Sequence, residues 1–241
     1  MIITRKKFTG PLQQVRCGNL TLDFTDVAKS LGVLIDNRLN WDSHIKKLSK
    51  SFSAQLKMLK RMKYLPVNRL EDIYFKMILP NVTYCISVWG SCSHALFNEI
   101  ENLHIKAARQ IHDVPTTYDD HQVLKRVKWH NLAYMYKKKV ALEMFKVVTM
   151  EHRLSSYFEV TESRRRGISL KMRQMNTEFG KKSLIFRGPV VWNSLNENIR
   201  KSVNINQFKA AIKKCKAMDD VSFIKGTCSN KNKNLEDFVY F

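Results

Sequence analysis

The sequence is poor in glycine and cysteine. Its eight glycines are too scattered to form the glycine-rich loop that cradles nucleotide phosphates. The five cysteines are odd in number, widely separated and never arranged as a CxxC pair, a pattern that disfavours both a disulfide framework and a cysteine-based zinc site. Free thiols in a packed core, in a reducing compartment, are the expectation.

Long hydrophobic runs are also missing. No apolar stretch approaches the roughly 20 residues that span a bilayer, and residues 1–7 lack the apolar segment of a signal peptide. The histidines form no HExxH pattern and no serine lies in a GxSxG context, which disfavours zinc and serine hydrolases. The sequence therefore predicts an intracellular protein with no membrane partner, no small-molecule substrate, no metal ligands and no resident cofactor.

Acidic residues are scarce relative to basic ones. The chain has 42 lysines and arginines against 21 aspartates and glutamates, which gives a formal charge of +21. Such an excess favours a polyanionic partner, because phosphate contacts and electrostatic steering both depend on clustered basic side chains. A solvated basic surface without a ligand is the alternative. Hydrophobic residues make up 44% of the chain, which suffices for a folded core.

Hydrophobic periodicity predicts a mainly α fold that begins with a small antiparallel β element. Strands are expected at residues 21–27 and 31–35, where short apolar or alternating runs end in turn signals. A helix should follow from Asp42, its expected N-cap, to about Lys63, with one apolar stripe and a basic outer face. Strands this short are not stable alone, so we expect them to pack on the helices.

Two more helices complete a predicted bundle. The second begins with a capping box formed by Asn68 and Glu71, meets Pro80, and resumes or kinks there on its way to Trp89. The third spans residues 94–111. Three amphipathic helices joined by short turns make a compact bundle.

The C-terminal half is predicted to be partly helical and partly irregular. Helices are expected at residues 121–127, 131–151 and 205–216, and a short proline-started helix at 188–195. Residues 153–186 show no sustained period and are expected to be extended or loop-like. The predicted organisation is a β ribbon (1–40), a helical bundle (41–115), a basic helical and irregular region (116–218) and a flexible tail (219–241).

The basic residues are concentrated in two regions. Residues 42–63 carry seven basic side chains against Asp42 alone, and residues 121–182 carry 15 against five acidic ones. Basic side chains along a helix can bind a row of phosphates without reading sequence, and consecutive arginines favour bidentate phosphate contacts. The candidate nucleic-acid-binding residues are Lys57, Lys60, Arg61, Lys63, Arg164, Arg165, Arg166, Arg173, Lys181 and Lys182.

Four segments, taken in order, resemble one family. They are KSLGVLIDNRLNWDSHIKKLSK (29–50), LPVNRLEDIYFKMILPNVTYCISVWG (65–90), LHIKAARQIHDVP (103–115) and FRGPVVWNSLNENIRKSVNINQFKAAIKK (186–214). Together they are similar to the C-terminal part of non-LTR (LINE-type, Jockey-like) retrotransposon reverse transcriptases. The resemblance implies the end of the palm in residues 1–40, a helical thumb in 41–115 and a post-thumb region beyond. It also implies an RNA or RNA/DNA template-primer duplex as partner.

The resemblance does not bring an active centre. Family polymerases bind Mg²⁺ through palm carboxylates that include a [FY]-x-D-D hairpin upstream of the LGVLID segment, and these 241 residues contain no such motif. Tyr118-Asp119-Asp120 lacks the intervening residue, and Asp119 or Asp120 is interpreted as a helix N-cap. The expectation is a truncated reverse transcriptase fragment that is not an enzyme by itself and has no catalytic or metal-binding residue.

Other interpretations remain open at this stage. The chain can be a non-functional transposon relic or a basic interaction module put to another use. Trp89, Trp129 and Trp192 could stack on bases, but each lies on an apolar face and is expected in the core. His104 and His112 are expected to be packed or surface histidines.

Overall fold

A computed structural model describes most of the chain. The described residues are 1, 3, 15–150, 152–163 and 167–214. Among them helices predominate, and the strands form three two-stranded antiparallel hairpins, so the predicted mainly α fold with an N-terminal β element is confirmed. The candidate residues Arg164, Arg165 and Arg166 and the predicted tail at 219–241 lie outside the described residues.

Two hairpins precede the first helix. They are formed by β1 (Val15–Cys17) with β2 (Leu20–Leu22) and β3 (Val27–Ser30) with β4 (Val33–Asp36). The prediction of one strand at 21–27 and another at 31–35 was wrong in its boundaries. Leu31 and Gly32 form the β3–β4 turn with φ angles of 45° and 87°, and positive φ at both central residues is typical of a two-residue hairpin turn.

Helix α1 (Asp42–Arg61) starts where predicted, but its N-terminus is organised differently. The Asp42 side chain makes no capping hydrogen bond, and Trp41 takes the left-handed N-cap position with φ of 71°. The carboxylate of Asp36, at the end of β4, accepts the backbone N–H groups of Trp41 at 2.7 Å and Asn40 at 3.0 Å. The prediction that Asp42 caps α1 was therefore wrong, because Asp36 already fixes the chain on its way into the helix.

The second predicted helix is divided into four pieces. They are α2 (Val67–Ile73), a π-helical turn (Tyr74–Ile78), α3 (Leu79–Thr83) and α4 (Ile86–Trp89). Pro80 lies in the first turn of α3, directly after the π-helical turn, and the chain stays helical on both sides of it. The break comes at Cys85, whose φ is 51°. Tyr84, next to the break, donates a hydroxyl hydrogen bond to the Leu31 carbonyl at 3.0 Å.

Three longer elements follow, as predicted. They are α5 (His94–His112), α6 (Asp120–Arg126) and α7 (Leu132–Val148). The side chains of Ser93 and Asn131 cap α5 and α7 by accepting backbone N–H groups. Helix α5 packs on α1 and α2, and α7 packs on α3 and α4.

The region predicted as irregular contains short regular elements. Within residues 153–186 they are a 3₁₀ turn (Ser155–Tyr157), β5 (Val160–Ser163), β6 (Gly167–Leu170) and α8 (Glu178–Lys181). Three helices follow, α9 (Leu184–Asn193), α10 (Glu197–Arg200) and α11 (Ile205–Lys213), and α11 lies where a helix was predicted. The β5–β6 hairpin is held by Asn193, which accepts the Leu170 N–H at 2.9 Å and donates to the Leu170 carbonyl at 2.7 Å. Such long-range bonds have no periodic signal in the sequence.

Helix α9 begins four residues earlier than predicted and contains Pro189 in its interior. Its packing on α7 compensates for the hydrogen bond that proline removes. Gly188 lies so close to α7 that a Cβ there would come 2.2 Å from the Met144 Sδ. Glycine therefore permits this close approach, and a larger residue would require the Met144 side chain to move.

One hydrophobic core runs through the described residues from Val33 to Ile212. Trp89 and Trp192 are completely buried within it, and Trp129 retains 8% of its surface. The prediction that these tryptophans are core residues is confirmed. Their rings are not available as platforms for bases.

Candidate nucleic-acid interface

The strongest basic feature is a straight row of exposed side chains on α1. Lys46, Lys50, Lys57 and Arg61 follow one another at intervals of four, seven and four residues, and all four are exposed. These intervals return to nearly the same angle around a helix of 3.6 residues per turn, so the four residues share one face and span about 22 Å. We call them the α1 ridge.

The α1 ridge lies opposite the buried side of its helix. Ile45, Phe52, Leu56 and Leu59 are at most 2% exposed and form the apolar stripe. Because these residues fix α1 against its neighbours, the ridge faces outward along its whole length. Among the residues that the structure describes, none of the ridge side chains forms an ion pair with a carboxylate.

The predicted α1 residues do not all share this environment. Lys57 and Arg61 belong to the α1 ridge, and exposed Lys60 flanks it. Lys63 lies beyond the end of α1, where its ammonium group pairs with the Asp113 carboxylate. Lys46 and Lys50 were not among the site residues predicted from the sequence, although their four-residue spacing and their register with Lys57 are visible there.

Helix α1 is supported by a buried polar and aromatic cluster. The Tyr74 ring stacks near Phe52 of α1, with centroids 6.5 Å apart, and lies 4.8 Å from the Trp129 ring. The Tyr74 hydroxyl donates to the Nδ1 of His104 at 2.5 Å, because the Nε2 of that ring donates to the His130 carbonyl at 2.9 Å. Burial lowers the pKa of His104 to about 4. The prediction of a packed His104 is confirmed, and the ring is neutral near pH 7.

Two glutamates connect this cluster to neighbouring helices. The Glu71 carboxylate accepts from the Trp129 indole at 2.9 Å and contacts the His112 Nε2 at 3.0 Å. The predicted capping box is wrong, because Glu71 is engaged there and the N-cap of α2 is Pro66. Glu101 accepts the backbone N–H of Leu132 at 2.9 Å, and burial raises its pKa to about 7.

The predicted basic residues beyond α7 lie in two settings. Arg173 is exposed in the loop that follows β6. Lys181 and Lys182 are half-buried at the end of α8, next to Arg187, whose Nε donates to the Lys181 carbonyl at 3.3 Å.

The charges around Cys92 show where α8 lies relative to α1. Burial raises the pKa of the Cys92 thiol to about 12, and the charges of Lys182 and Arg187 oppose that rise. Asp42, the first residue of α1, acts on the same thiol. Lys182 is therefore near the start of α1, whereas Lys57 and its neighbours are near the end, about 25 Å away along the helix.

Tyr118, Asp119 and Asp120 lie at the start of helix α6. Asp119 takes the N-cap position of α6, as predicted, but its side chain makes no capping hydrogen bond. Asp120 pairs with Arg109 at 2.7 Å, and the Arg126 guanidinium lies 4.8 Å from the Tyr118 ring centroid. Among the described residues, no group of three or more His, Cys, Asp or Glu side chains is placed to hold a metal ion.

Comparison with known proteins gives one informative match. A probable RNA-directed DNA polymerase from transposon BS of Drosophila melanogaster is 25% identical to the chain over 116 residues. The match covers 46% of this chain and 13% of that protein. It supports a reverse-transcriptase relationship. No protein-family model matches the chain, and no solved structure does.

Within the described ranges, every helix is too short or too polar to cross a bilayer. The longest, α1, has 20 residues, and its outer face carries the α1 ridge.

Proposed function

We propose that this chain is the thumb and post-thumb part of a non-LTR (LINE-type, Jockey-like) reverse transcriptase, and that it binds an RNA or RNA/DNA template-primer duplex. One observation carries the proposal: a helix anchored by a buried apolar stripe presents four exposed basic side chains in a straight line. The similarity to a transposon RNA-directed DNA polymerase supports nucleic acid as the class of partner.

The geometry of the α1 ridge suits a regular row of phosphates. At the 3.4 Å spacing of phosphates along one strand of B-DNA, about 22 Å of helix lies beside roughly six phosphates. Lys46, Lys50 and Lys57 act as point charges, and the fork of Arg61 can bind one phosphate with two parallel hydrogen bonds. Such contacts position a duplex and carry no base specificity. A polymerase thumb that follows a moving duplex requires this property.

Nucleotide addition is not part of the proposed role. The [FY]-x-D-D motif of the family palm does not occur in these 241 residues. In this proposal the Mg²⁺-dependent chemistry belongs to a palm formed by other residues, and the chain described here contributes affinity for the duplex. A relic or a repurposed interaction module is the competing interpretation.

The test is the salt dependence of duplex binding. The variant K46Q/K50Q/K57Q/R61Q removes the ridge charges and leaves the apolar stripe intact. The matched control K76Q/K146Q/K171Q/K201Q removes four lysines that are each paired with a carboxylate on the same or a neighbouring element. Fluorescence anisotropy with an RNA/DNA primer–template of about 20 base pairs gives log K against log salt.

The ridge variant should lose about 3 to 4 from the magnitude of the salt slope, because each phosphate contact contributes about 0.9. The control should keep a slope close to that of the wild type. Equal salt slopes for the ridge variant and the control variant would refute duplex binding by the α1 ridge. Wild-type affinity no better than that of a random basic peptide of equal charge would favour the relic.

A further inference from the structure

A second group of lysines is brought together by packing between distant parts of the chain. Lys138 and Lys139 lie on α7, and Lys209 and Lys213 lie on α11. Helix α11 packs on α7, and burial together with the charges of the other three lysines lowers the pKa of Lys138. We call these four residues the α7–α11 lysine cluster, and none of them was among the predicted site residues.

Apolar packing between α7, α9 and α11 fixes the position of the α7–α11 lysine cluster. The Phe208 ring is completely buried and stacks on Phe145 of α7 and Trp192 of α9, with centroids 4.6 and 5.7 Å away. Each lysine of α11 directly follows one of its two buried apolar residues, Phe208 and Ile212. The lysines therefore flank the seam along which α11 meets α7.

The cluster has no compensating acidic partner among the described residues. Helix α11 contains no acidic residue. The acidic residue of α7, Glu143, lies 3.6 Å from the Lys146 ammonium and 3.4 Å from the His152 ring. Burial and the three neighbouring lysines lower the pKa of Lys138, which shows that crowded like charges disfavour its protonated form. An anion bound here would relieve that repulsion.

The shape of the α7–α11 lysine cluster differs from that of the α1 ridge. Lys209 and Lys213 are one helical turn apart, about 6 Å along the axis, and Lys138 is close enough to both to respond to their charges. A stiff duplex presents its phosphates in a fixed row, whereas a single strand can bend several phosphates toward one compact patch. The compact arrangement therefore favours a flexible strand.

We propose that the α7–α11 lysine cluster binds the phosphate backbone of single-stranded nucleic acid, at a site separate from the α1 ridge. The proposal rests on the proposed function for the class of ligand. An anionic membrane surface fits less well, because an interfacial helix inserts its apolar face into lipid, and the apolar residues of α11, Phe208 and Ile212, are completely buried in the core.

The test compares two double variants that remove the same number of charges. K138Q/K139Q and K209Q/K213Q each remove two lysines from one side of the cluster, and K171Q/K201Q removes two carboxylate-paired lysines as the control. Binding of a fluorescent oligouridylate is measured against salt concentration. Each cluster variant should lower the magnitude of the slope by about 1.4, since a single-strand contact contributes about 0.7, and the control should not.

Further measurements separate this inference from the proposed function. Normal oligouridylate binding by both cluster variants, together with weakened duplex binding by the ridge variant, would overturn the cluster site and leave the thumb role intact. Weakened oligouridylate binding by the cluster variants, together with normal duplex binding by the ridge variant, would support the cluster site and refute the role of the α1 ridge. Lysine-dependent binding to phosphatidylserine vesicles or polyglutamate that exceeds binding to oligouridylate would also overturn the inference. Circular dichroism confirms that each variant is folded.

Discussion

The hydrophobic core contains two aromatic parts, here called the Trp129 core and the Trp192 core, and they differ in how many polar groups they contain. Around Trp129, the buried Tyr74 and His104 and the half-buried Glu101 are all hydrogen-bonded. Around Trp192, packing is dominated by rings, with Phe208 stacked on both Trp192 and Phe145. The first core supports α1 and its ridge, and the second positions α11 and its lysines.

The difference between the cores is thermodynamic as well as structural. Buried groups whose pKa values are shifted to about 7 and about 4 make the stability of the Trp129 core depend on pH. The stability of the Trp192 core depends on the apolar area that it buries. A mutation that disturbs packing in the Trp192 core should therefore lower stability by a similar amount at every pH. A mutation that removes a titrating group from the Trp129 core should change stability by an amount that depends on pH.

The largest expected effect is a cavity in the Trp192 core. Phe208→Ala removes a completely buried ring and should lower the free energy of unfolding by about 3 to 5 kcal/mol, with little dependence on pH. Urea denaturation measures the change, and Tyr64→Ala is the control because Tyr64 is 81% exposed. Equal losses for the two variants would show that α11 does not dock through Phe208.

The next effect concerns the charge of Glu101 in the Trp129 core. Its pKa is raised from 4.5 to about 7, so the folded protein binds more protons than the unfolded chain between these values. The contribution of Glu101 to stability should therefore decrease as the pH rises from 4.5 to 7, by up to roughly 3 kcal/mol, while the lowered pKa of His104 acts in the opposite direction over the acidic part of this range.

Glu101→Gln tests this pH dependence. The glutamine carbonyl can accept the same Leu132 N–H without ionising. The stability of the variant relative to wild type should therefore rise across that interval, as measured by denaturation at about pH 4.5 and pH 8. The titration of His104 is common to both proteins and cancels in the difference. A difference that does not change with pH would contradict a raised pKa for Glu101.

The smallest effect concerns a single hydroxyl in the same core. Tyr74→Phe keeps the ring stacking but leaves the His104 Nδ1 without its donor, which should cost about 1 to 3 kcal/mol. Tyr84→Phe removes an exposed hydroxyl that donates to Leu31 and should cost less. Thermal unfolding at about pH 8 compares the two variants, and an equal loss would mean that the Tyr74–His104 bond contributes no more than a surface contact.

Local features were predictable where a periodic or capping signal controls them. The spacing of Ile45, Phe52, Leu56 and Leu59 placed α1, and the apolar pattern of residues 94–111 placed α5 within a residue at each end. The boundaries were wrong where a distant partner decides. Asp36 organises the start of α1, and Glu71 contacts Trp129 and His112 instead of capping α2.

One phrase of the sequence shows how family resemblance and folding coincide. In GPVVWNSL, Gly188 permits close packing on Met144, Trp192 fills the core and Asn193 holds the β5–β6 hairpin. These residues have structural roles, and none of them provides a basic side chain. This phrase therefore serves the fold of the chain, and the ligand has to be inferred from the surface.

The mainly α class, the excess of positive charge and the helical register that aligns the α1 ridge follow from the sequence alone. These properties depend on composition or on residues within one helix, where 3.6 residues per turn relates position to direction. Tertiary packing selects which charges pair, as for Lys63 with Asp113, and brings α11, which carries Lys209 and Lys213, onto α7, which carries Lys138. Contacts between residues some 70 positions apart depend on how buried rings pack, and no local pattern encodes that choice.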